Sequence, residues 1–286
     1  MKTIHWAMIG TGDVTEKKSG PGFYKAKNSV LYGVTNRTLA KAEDYAKRHH
    51  VEKVFASVDD LLADPKVDAV YITTPPGSHK DYALRCAEAG KVCYIEKPIA
   101  LTYNEALEIS EAFKKANVKA FVAYYRRTLP RFTEVKVLLD AGTIGDVRFV
   151  NVAYYRPAAK DEINGTHWHV QPEISGGGIF MDMAVHTLDI LDFFFGAIEK
   201  VAAFSVNQAG YYAPEDNVAL SFAFDNHVTG TGNWCFTTDT VADNIQIVGS
   251  KGEINFGCFT NDPIQLKTAE QETAIPAGTI EHVHQN

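Results

Sequence analysis

Long apolar runs are missing from this 286-residue chain, and no stretch approaches the roughly 20 residues that a membrane helix needs. An excess of basic residues is missing too. With 28 Lys and Arg against 35 Asp and Glu, the formal net charge is -7, which argues against nucleic acid and anionic membrane surfaces, both of which call for a basic face. Small-molecule chemistry is the expectation. Only four cysteines occur (Cys86, Cys93, Cys235 and Cys258), with neither C-x-x-C spacing nor the density of a disulfide-stapled scaffold. They read as reduced, mostly buried thiols, which suits a cytoplasmic location. The opening "MKTIHWAMIG" lacks the apolar core and small-residue cleavage site of a secretory signal. Low-complexity tracts, charge blocks and internal repeats are also absent. What remains, at 45% hydrophobic and 22% charged residues, is the composition of a globular chain long enough for two modest domains.

Up to residue 123 two patterns alternate. Short apolar or β-branched runs ("IHWAMIG", "VLYGVT", "VDAVYITT", "VCYIE", "KAFVAYY") are separated by amphipathic stretches ("TLAKAEDYAKRHH", "SHKDYALRCAEAG", "TYNEALEISEAFKKANV"). This rhythm predicts an α/β domain, a doubly wound parallel sheet with strands buried on both faces. Gly90 and Asn117 fit helix C-terminal positions. Beyond Tyr125 the rhythm changes. "LPRFTEVKVLLDAGTIG" reads as a helix, "DVRFVNVAYYRP" as a long strand and "IFMDMAVHTLDILDFFFG" as an apolar helix, with Phe193 to Phe195 as helix core. Five strand-like runs follow with no helix between them, two joined by a hairpin-like turn at "GSKG", residues 249 to 252. The second part, residues 124–286, is therefore expected to be an α+β domain with an open, mostly antiparallel sheet carrying a helix on one face.

"IGTGDVT" closes the first strand. Its Gly10, Thr11, Gly12, Asp13 and Val14 can form a tight turn whose amides face a pyrophosphate, with the following helix N-terminus behind them. Thr15 stands where the usual fingerprint has a third glycine or alanine, and glycines also serve plain turns. The loop's place at the head of a βαβ series favours dinucleotide binding. The second strand ends in Asn36 and Arg37 instead of the acidic residue that usually holds the ribose of NAD. Arg37 offers a planar fork for a 2'-phosphate, so NADP(H) is expected over NAD(H). The plain alternative is an arginine on the solvated start of the next helix.

"TTPPGSH" at residues 73–79, "EKP" at 96–98 and "GGGIFMDMAVH" at 176–186 bear on function. With these three ordered motifs the chain resembles the Gfo/Idh/MocA oxidoreductases, which include glucose-fructose oxidoreductase, inositol dehydrogenase and dimeric dihydrodiol dehydrogenase. The likeness runs over the whole chain. It implies an N-terminal Rossmann domain that binds NAD(P) and a C-terminal domain that shapes the substrate site and the oligomer contact, as a homodimer or homotetramer. It implies that Lys97 lies near both nicotinamide and the substrate oxygen, and that Asp182 and His186 form an Asp-x-x-x-His pair. Thr73, Thr74, Pro75 and His79 would line the nicotinamide half of the cofactor, and "YYRR" at 124–127, with Arg126, would leave the last Rossmann strand. Tyr125 and Ala184 depart from the common Asn and Gly. The family usually continues past "EHVHQ" with a helix and closing segment, which a chain ending at Asn286 is expected to lack.

The chemistry suits these residues. Hydride transfer from an alcohol carbon requires its hydroxyl proton to leave and the developing oxygen charge to be stabilised. A partly desolvated lysine beside a cationic nicotinamide should titrate low and could polarise a carbonyl or relay a proton. Glu96 would orient Lys97 or the cofactor, and the Lys97-Pro98 bond could be cis. A strand-terminal salt bridge is the plain alternative. Asp182 and His186, four apart, project from one helix face, where the histidine is the natural acid/base and the aspartate its orienter. The alternative there is a core histidine capped by a carboxylate such as Asp189. Gly176 to Gly178 would let the backbone approach cofactor or substrate. Trp168 could stack on a sugar-like ring, with His169 and Tyr125 as further substrate contacts. No complete metal set accompanies "THWHV" or "EHVHQ", so no metal is expected. Arg126 and Arg127 could meet cofactor, substrate or surface carboxylates. The leading expectation is an NAD(P)-dependent dehydrogenase or reductase of a sugar, polyol or diol. A catalytically silent nucleotide sensor and an inert scaffold are the alternatives.

Overall fold

Strands buried on both faces should be apolar throughout, and in the computed structural model, which describes residues 2–278, six such strands make one parallel sheet. They are β1 (Ile4–Ile9), β2 (Ser29–Thr35), β3 (Lys53–Val54), β4 (Ala69–Ile72), β5 (Val92–Ile95) and β6 (Ala120–Val122), in the order β3-β2-β1-β4-β5-β6. Every pairing is parallel. The strand order reverses between β1 and β4, and in such sheets ligands bind outside the carboxyl ends at that switch point. One face packs Ile9, Val70, Ile72 and Ile95 on Ile109 and Phe113. The other packs Met8 and Tyr71 on Phe23 and Tyr45.

The helices between these strands have readable ends. Thr102 accepts a hydrogen bond from the Glu105 amide at 3.2 Å to cap the helix Tyr103–Ala116, and Asn117, left-handed at φ 54°, stops it. Gly90 is left-handed at φ 66° just past the helix His79–Glu88. In this unit the sequence reading passed over β3 and the helix Val58–Ala63. β3 has only two residues, too few for a periodicity, and the helix Val58–Ala63 has six, although Ser57 caps it by accepting from the Asp60 amide at 3.1 Å. The glycine loop feeds two short helices, Asp13–Lys17 and Gly20–Lys25. Pro21 has no amide to continue a helix through this point, and Gly20 lies so close to the chain above that a Cβ there would sit 2.0 Å from the Thr15 carbonyl oxygen.

Residues 2–125 and 126–278 form two compact units. The second is built on strands β7 (Val147–Tyr155), β8 (Ile198–Val206), β9 (Asn217–Phe224), β10 (Thr229–Cys235), β11 (Ala242–Gly249), β12 (Gly252–Phe256), β13 (Ile264–Thr268) and β14 (Glu272–Ile275). Their order is β14-β13-β12-β11-β7-β10-β9-β8, with only β7 and β10 parallel. The β11-β12 hairpin turns at the predicted "GSKG". Burial alternates along β10, so that Gly230, Gly232 and Trp234 face inward and Thr229, Thr231 and Asn233 outward. On the inner face Val150, Val152, Phe222 and Trp234 pack with Ile190, Leu191, Phe194 and Phe195 of the helix Ile179–Phe195. The outer face carries exposed apolar side chains, with Phe204 80% and Val206 43% exposed.

Candidate functional site

The carboxyl ends of β1, β2, β4 and β5 carry three loops that lean on one another. Gly10 follows β1 at φ +101°, and a Cβ there would lie 2.7 Å from Thr73 Oγ1 and 3.2 Å from Thr74 Cγ2. Both its dihedral and its packing demand glycine. Gly12 faces open space, since a Cβ on it would meet nothing within 4 Å. Thr15, at the third fingerprint position, is fully buried and donates its hydroxyl to the Gly12 carbonyl at 2.7 Å, holding the turn without a third glycine. Asp13 is exposed and Val14 half-buried in the turn that follows. Asn36 donates Nδ2–H to Thr11 Oγ1 at 2.8 Å and accepts from the Thr38 amide at 2.9 Å. It thereby ties the glycine loop to the end of β2. Arg37 beside it is exposed and has no side-chain partner among the described residues.

The "TTPPGSH" loop is joined to the "EKP" turn by His79. The imidazole is fully buried, with Nδ1 2.9 Å from the Pro98 carbonyl oxygen and Nε2 2.6 Å from that of Thr74. A neutral ring can donate to only one of them. Burial pushes the histidine below its ordinary pKa, against the pull of those carbonyls. His79 thus positions two loops, and both its ring nitrogens are occupied within the protein. Thr74 is half-buried and its Oγ1 accepts from Ser78 at 2.7 Å, Thr73 is buried against β1, and Pro75 is exposed.

Glu96 is 7% exposed, accepts a short hydrogen bond from the Tyr71 phenol and accepts from the Lys97 backbone amide at 3.1 Å. The carboxylate therefore engages the backbone amide of Lys97. Lys97 is half-buried, and its peptide bond to Pro98 is cis. Tyr71 is the residue the sequence reading missed here. It is wholly buried and stacks on Tyr94 at 5.3 Å, and burial together with the neighbouring Glu96 charge holds its phenol well above the ordinary tyrosine pKa. The available signal was a tyrosine inside an all-buried strand, whose hydroxyl needs a partner.

In the second unit, Gly176 to Gly178 precede the helix Ile179–Phe195. Two of them pack closely on neighbouring protein atoms. A Cβ on Gly178 would lie 2.6 Å from the Glu215 carbonyl oxygen, and Glu215 Oε1 accepts from the Gly178 amide at 3.1 Å. One on Gly177 would lie 2.6 Å from Met181 Cγ, in the helix's own first turn. Asp182, in that turn, sets Oδ1 3.5 Å from His169 Nε2. The His169 ring lies 3.7 Å from Trp168 and 4.6 Å from His167, centroid to centroid. His186, one helical turn on, is 3% exposed, and its ring stands nearly perpendicular to Phe259 at 6.0 Å.

Asp189 is taken by Arg127, through bonds of 2.5 and 2.9 Å, and Arg127 also reaches Asp192 at 2.9 Å. The carboxylate suggested as a cap on His186 is thus bound by Arg127. Burial raises the Asp189 pKa while the Arg127 guanidinium pulls it down. Arg126 donates to the Cys258 carbonyl at 2.6 Å and lies 4.6 Å from the centre of the Phe259 ring, and Tyr125 is half-buried in the turn before it. No group of three or more His, Cys, Asp or Glu able to hold a metal occurs among the described residues, and "EHVHQ" lies outside them. No helix among the described residues is long and apolar enough to cross a membrane.

Comparison with known proteins bears out the two-part fold. Residues 4–124 match the model of an oxidoreductase family with an NAD-binding Rossmann fold, and residues 132–255 match the GFO/IDH/MocA C-terminal domain. An oxidoreductase of Formosa agariphila is 40% identical over 265 residues, covering 90% of this chain and 80% of that one. The scyllo-inositol 2-dehydrogenase (NAD(+)) of Bacillus subtilis is 29% identical over 280 residues, covering 93% and 78%. The WlbA dehydrogenase of Chromobacterium violaceum, solved in complex with NADH and UDP-GlcNAcA, superposes with a TM-score of 0.83 at 27% identity, covering 95% of this chain and 79% of that one. With both halves matched in order and a relative at 40% identity, the chain belongs to the Gfo/Idh/MocA family of NAD(P)-dependent oxidoreductases.

Proposed function

We propose that the protein is a dehydrogenase or reductase that moves hydride between NADP(H), favoured over NAD(H), and a hydroxyl-bearing carbon of a sugar, polyol or diol. The observation that carries this reading is the Glu96-Lys97 turn, where a buried carboxylate, itself held by Tyr71, fixes the backbone of a lysine at the carboxyl end of β5. The dinucleotide cradle fits. Gly10 admits the close contact with Thr73, and the open space over Gly12 leaves the loop backbone accessible to a pyrophosphate. The first helix after this loop has only five residues, so the loop amides carry more of that role than a helix end does. Bound cofactor would supply the hydride acceptor or donor. Thr11 and Asn36 hold the loop in shape for it, and Arg37, an unengaged cation in a chain of net charge -7, suits a 2'-phosphate. Thr73, Thr74 and Pro75 line the adjoining loop, which His79 ties to the lysine turn.

In the dehydrogenation direction Lys97 stabilises the negative charge that develops on the reacting oxygen, and His186 accepts the hydroxyl proton as hydride leaves the same carbon. Asp182, facing His169, holds a substrate hydroxyl or orients the imidazole. Trp168 and His169 supply a ring surface suited to a sugar or cyclic diol. The inositol dehydrogenase among the relatives supports a polyhydroxylated substrate class. The exposed apolar outer face of the C-terminal sheet, with Phe204 and Val206 on its edge strand, supports a homo-oligomer built on that face. The test of the function is fluorescence titration of the purified chain with NADPH and NADH, followed by turnover of aldoses, inositols and diols with each oxidised cofactor. Binding with turnover is expected, and absence of both overturns the reading.

A further inference from the structure

Asp243 lies in β11, and its carboxylate reaches the turn that follows β12. Three consecutive amides converge on it. Cys258 N–H donates to Oδ1 at 2.8 Å, and Phe259 and Thr260 N–H donate to Oδ2 at 2.6 and 2.7 Å. Bonds to an ionised acceptor are about twice as strong as neutral ones, so three of them fix this backbone firmly. The fit has no slack, because a Cβ on Gly257 would lie 2.7 Å from Asp243 Oδ2 and 2.2 Å from Thr260 Oγ1. Arg126 adds a second tether through its bond to the Cys258 carbonyl at 2.6 Å.

The side chain that this turn presents is Phe259. Its neighbours Phe256 and Cys258 are buried in the core, whereas Phe259 is half-buried on the rim. Three groups surround its ring: the Arg126 guanidinium at 4.6 Å, Tyr154 at 4.8 Å and His186 at 6.0 Å with an interplanar angle of 74°. The last torsion of a histidine side chain is broad, so the plane of an imidazole is set by what packs on it. At His186 a clamped aromatic ring supplies that wall.

We propose that Asp243 is a positioning residue for His186. By tying down residues 258–260 it holds Phe259 nearly perpendicular to the imidazole, and Phe259 sets the ring for proton transfer. This rests on the reading of His186 as the proton acceptor. A displacement of about 1 Å in a reacting group can cost on the order of 100-fold in rate.

The test compares the full chain with Phe259→Leu, Phe259→Tyr and Asp243→Asn, measuring kcat, KM and cofactor affinity. Phe259→Leu should lower kcat by about 10- to 100-fold while KM and cofactor affinity stay within about threefold. Phe259→Tyr, which keeps the ring, should lose several-fold less, and Asp243→Asn should move kcat in the same direction as Phe259→Leu. The two Phe259 variants decide the matter even if Asp243→Asn fails to fold. Unchanged kcat in Phe259→Leu, or equal losses in the Leu and Tyr variants, overturns the positioning role alone. A wild-type chain without turnover, or one whose kcat survives His186→Ala, overturns the dehydrogenase reading of His186 and this proposal with it.

Discussion

Tyr71→Phe removes one oxygen atom from the middle of the Rossmann sheet and leaves the ring in place. The phenol is wholly buried and donates to Glu96, a carboxylate that is itself 7% exposed. Phenylalanine fills the same space, so the cost is electrostatic and not a cavity. A hydrogen bond to a charged group is worth about 1.5–3 kcal/mol, and its loss leaves the carboxylate less well solvated by the protein. In a chain of this size each kcal/mol moves the midpoint by about 2–4 °C, so Tm should fall by about 3–12 °C. Tyr45→Phe is the internal standard. Its phenol is also wholly buried but donates to a neutral acceptor, the Thr15 carbonyl at 3.1 Å, and should cost about 0.5–1.5 kcal/mol. Because Glu96 also holds the Lys97 amide, Tyr71→Phe should lower kcat as well as stability, whereas Tyr45→Phe, anchored beneath the glycine loop, should weaken cofactor binding first. Urea and thermal unfolding at neutral pH read the first difference and steady-state kinetics the second. A Tyr71→Phe variant that loses no more stability than Tyr45→Phe and keeps wild-type kcat would refute the claim that a buried carboxylate positions the lysine.

Two further outcomes follow from exposed groups. Arg37→Ala should weaken NADPH binding by about 10- to 100-fold, the worth of one charge-assisted contact, and leave NADH nearly unchanged. Equal losses for both cofactors would contradict a 2'-phosphate contact. Light scattering on the purified chain should show a dimer or tetramer, and Phe204→Glu, which places a charge on the outer sheet face, should dissociate it. A stable wild-type monomer at micromolar concentration would remove the sheet face from the interface.

Much of this was legible because local pattern and global fold agree. Apolar strands and amphipathic helices in alternation describe a doubly wound sheet, and "IGTGDVT", "TTPPGSH" and "EKP" all fall at carboxyl ends of its strands. What escaped the reading depends on contacts between residues far apart in sequence. His79 joins Thr74 to Pro98, and Arg127 binds Asp189, 62 residues away. Gly178 packs on Glu215, 37 residues away. The break between the helices Asp13–Lys17 and Gly20–Lys25 had a signal in Pro21, since proline ends a helix from the preceding turn. Asp243 had almost none. A single aspartate in a β-strand gives no hint that three amides of a later turn will converge on it.

The central claim, that this chain binds a nicotinamide dinucleotide and uses Lys97 and His186 to move a proton, is tested most directly by one paired measurement. Cofactor affinity and kcat are determined side by side for the wild type, Lys97→Met and His186→Ala on the best substrate of the panel. The account predicts that both variants bind reduced cofactor within about threefold of the wild type while kcat falls by about 100-fold or more, as the loss of a general acid/base group does. Variants that keep wild-type kcat, or a wild type that binds cofactor and turns nothing over, would contradict it.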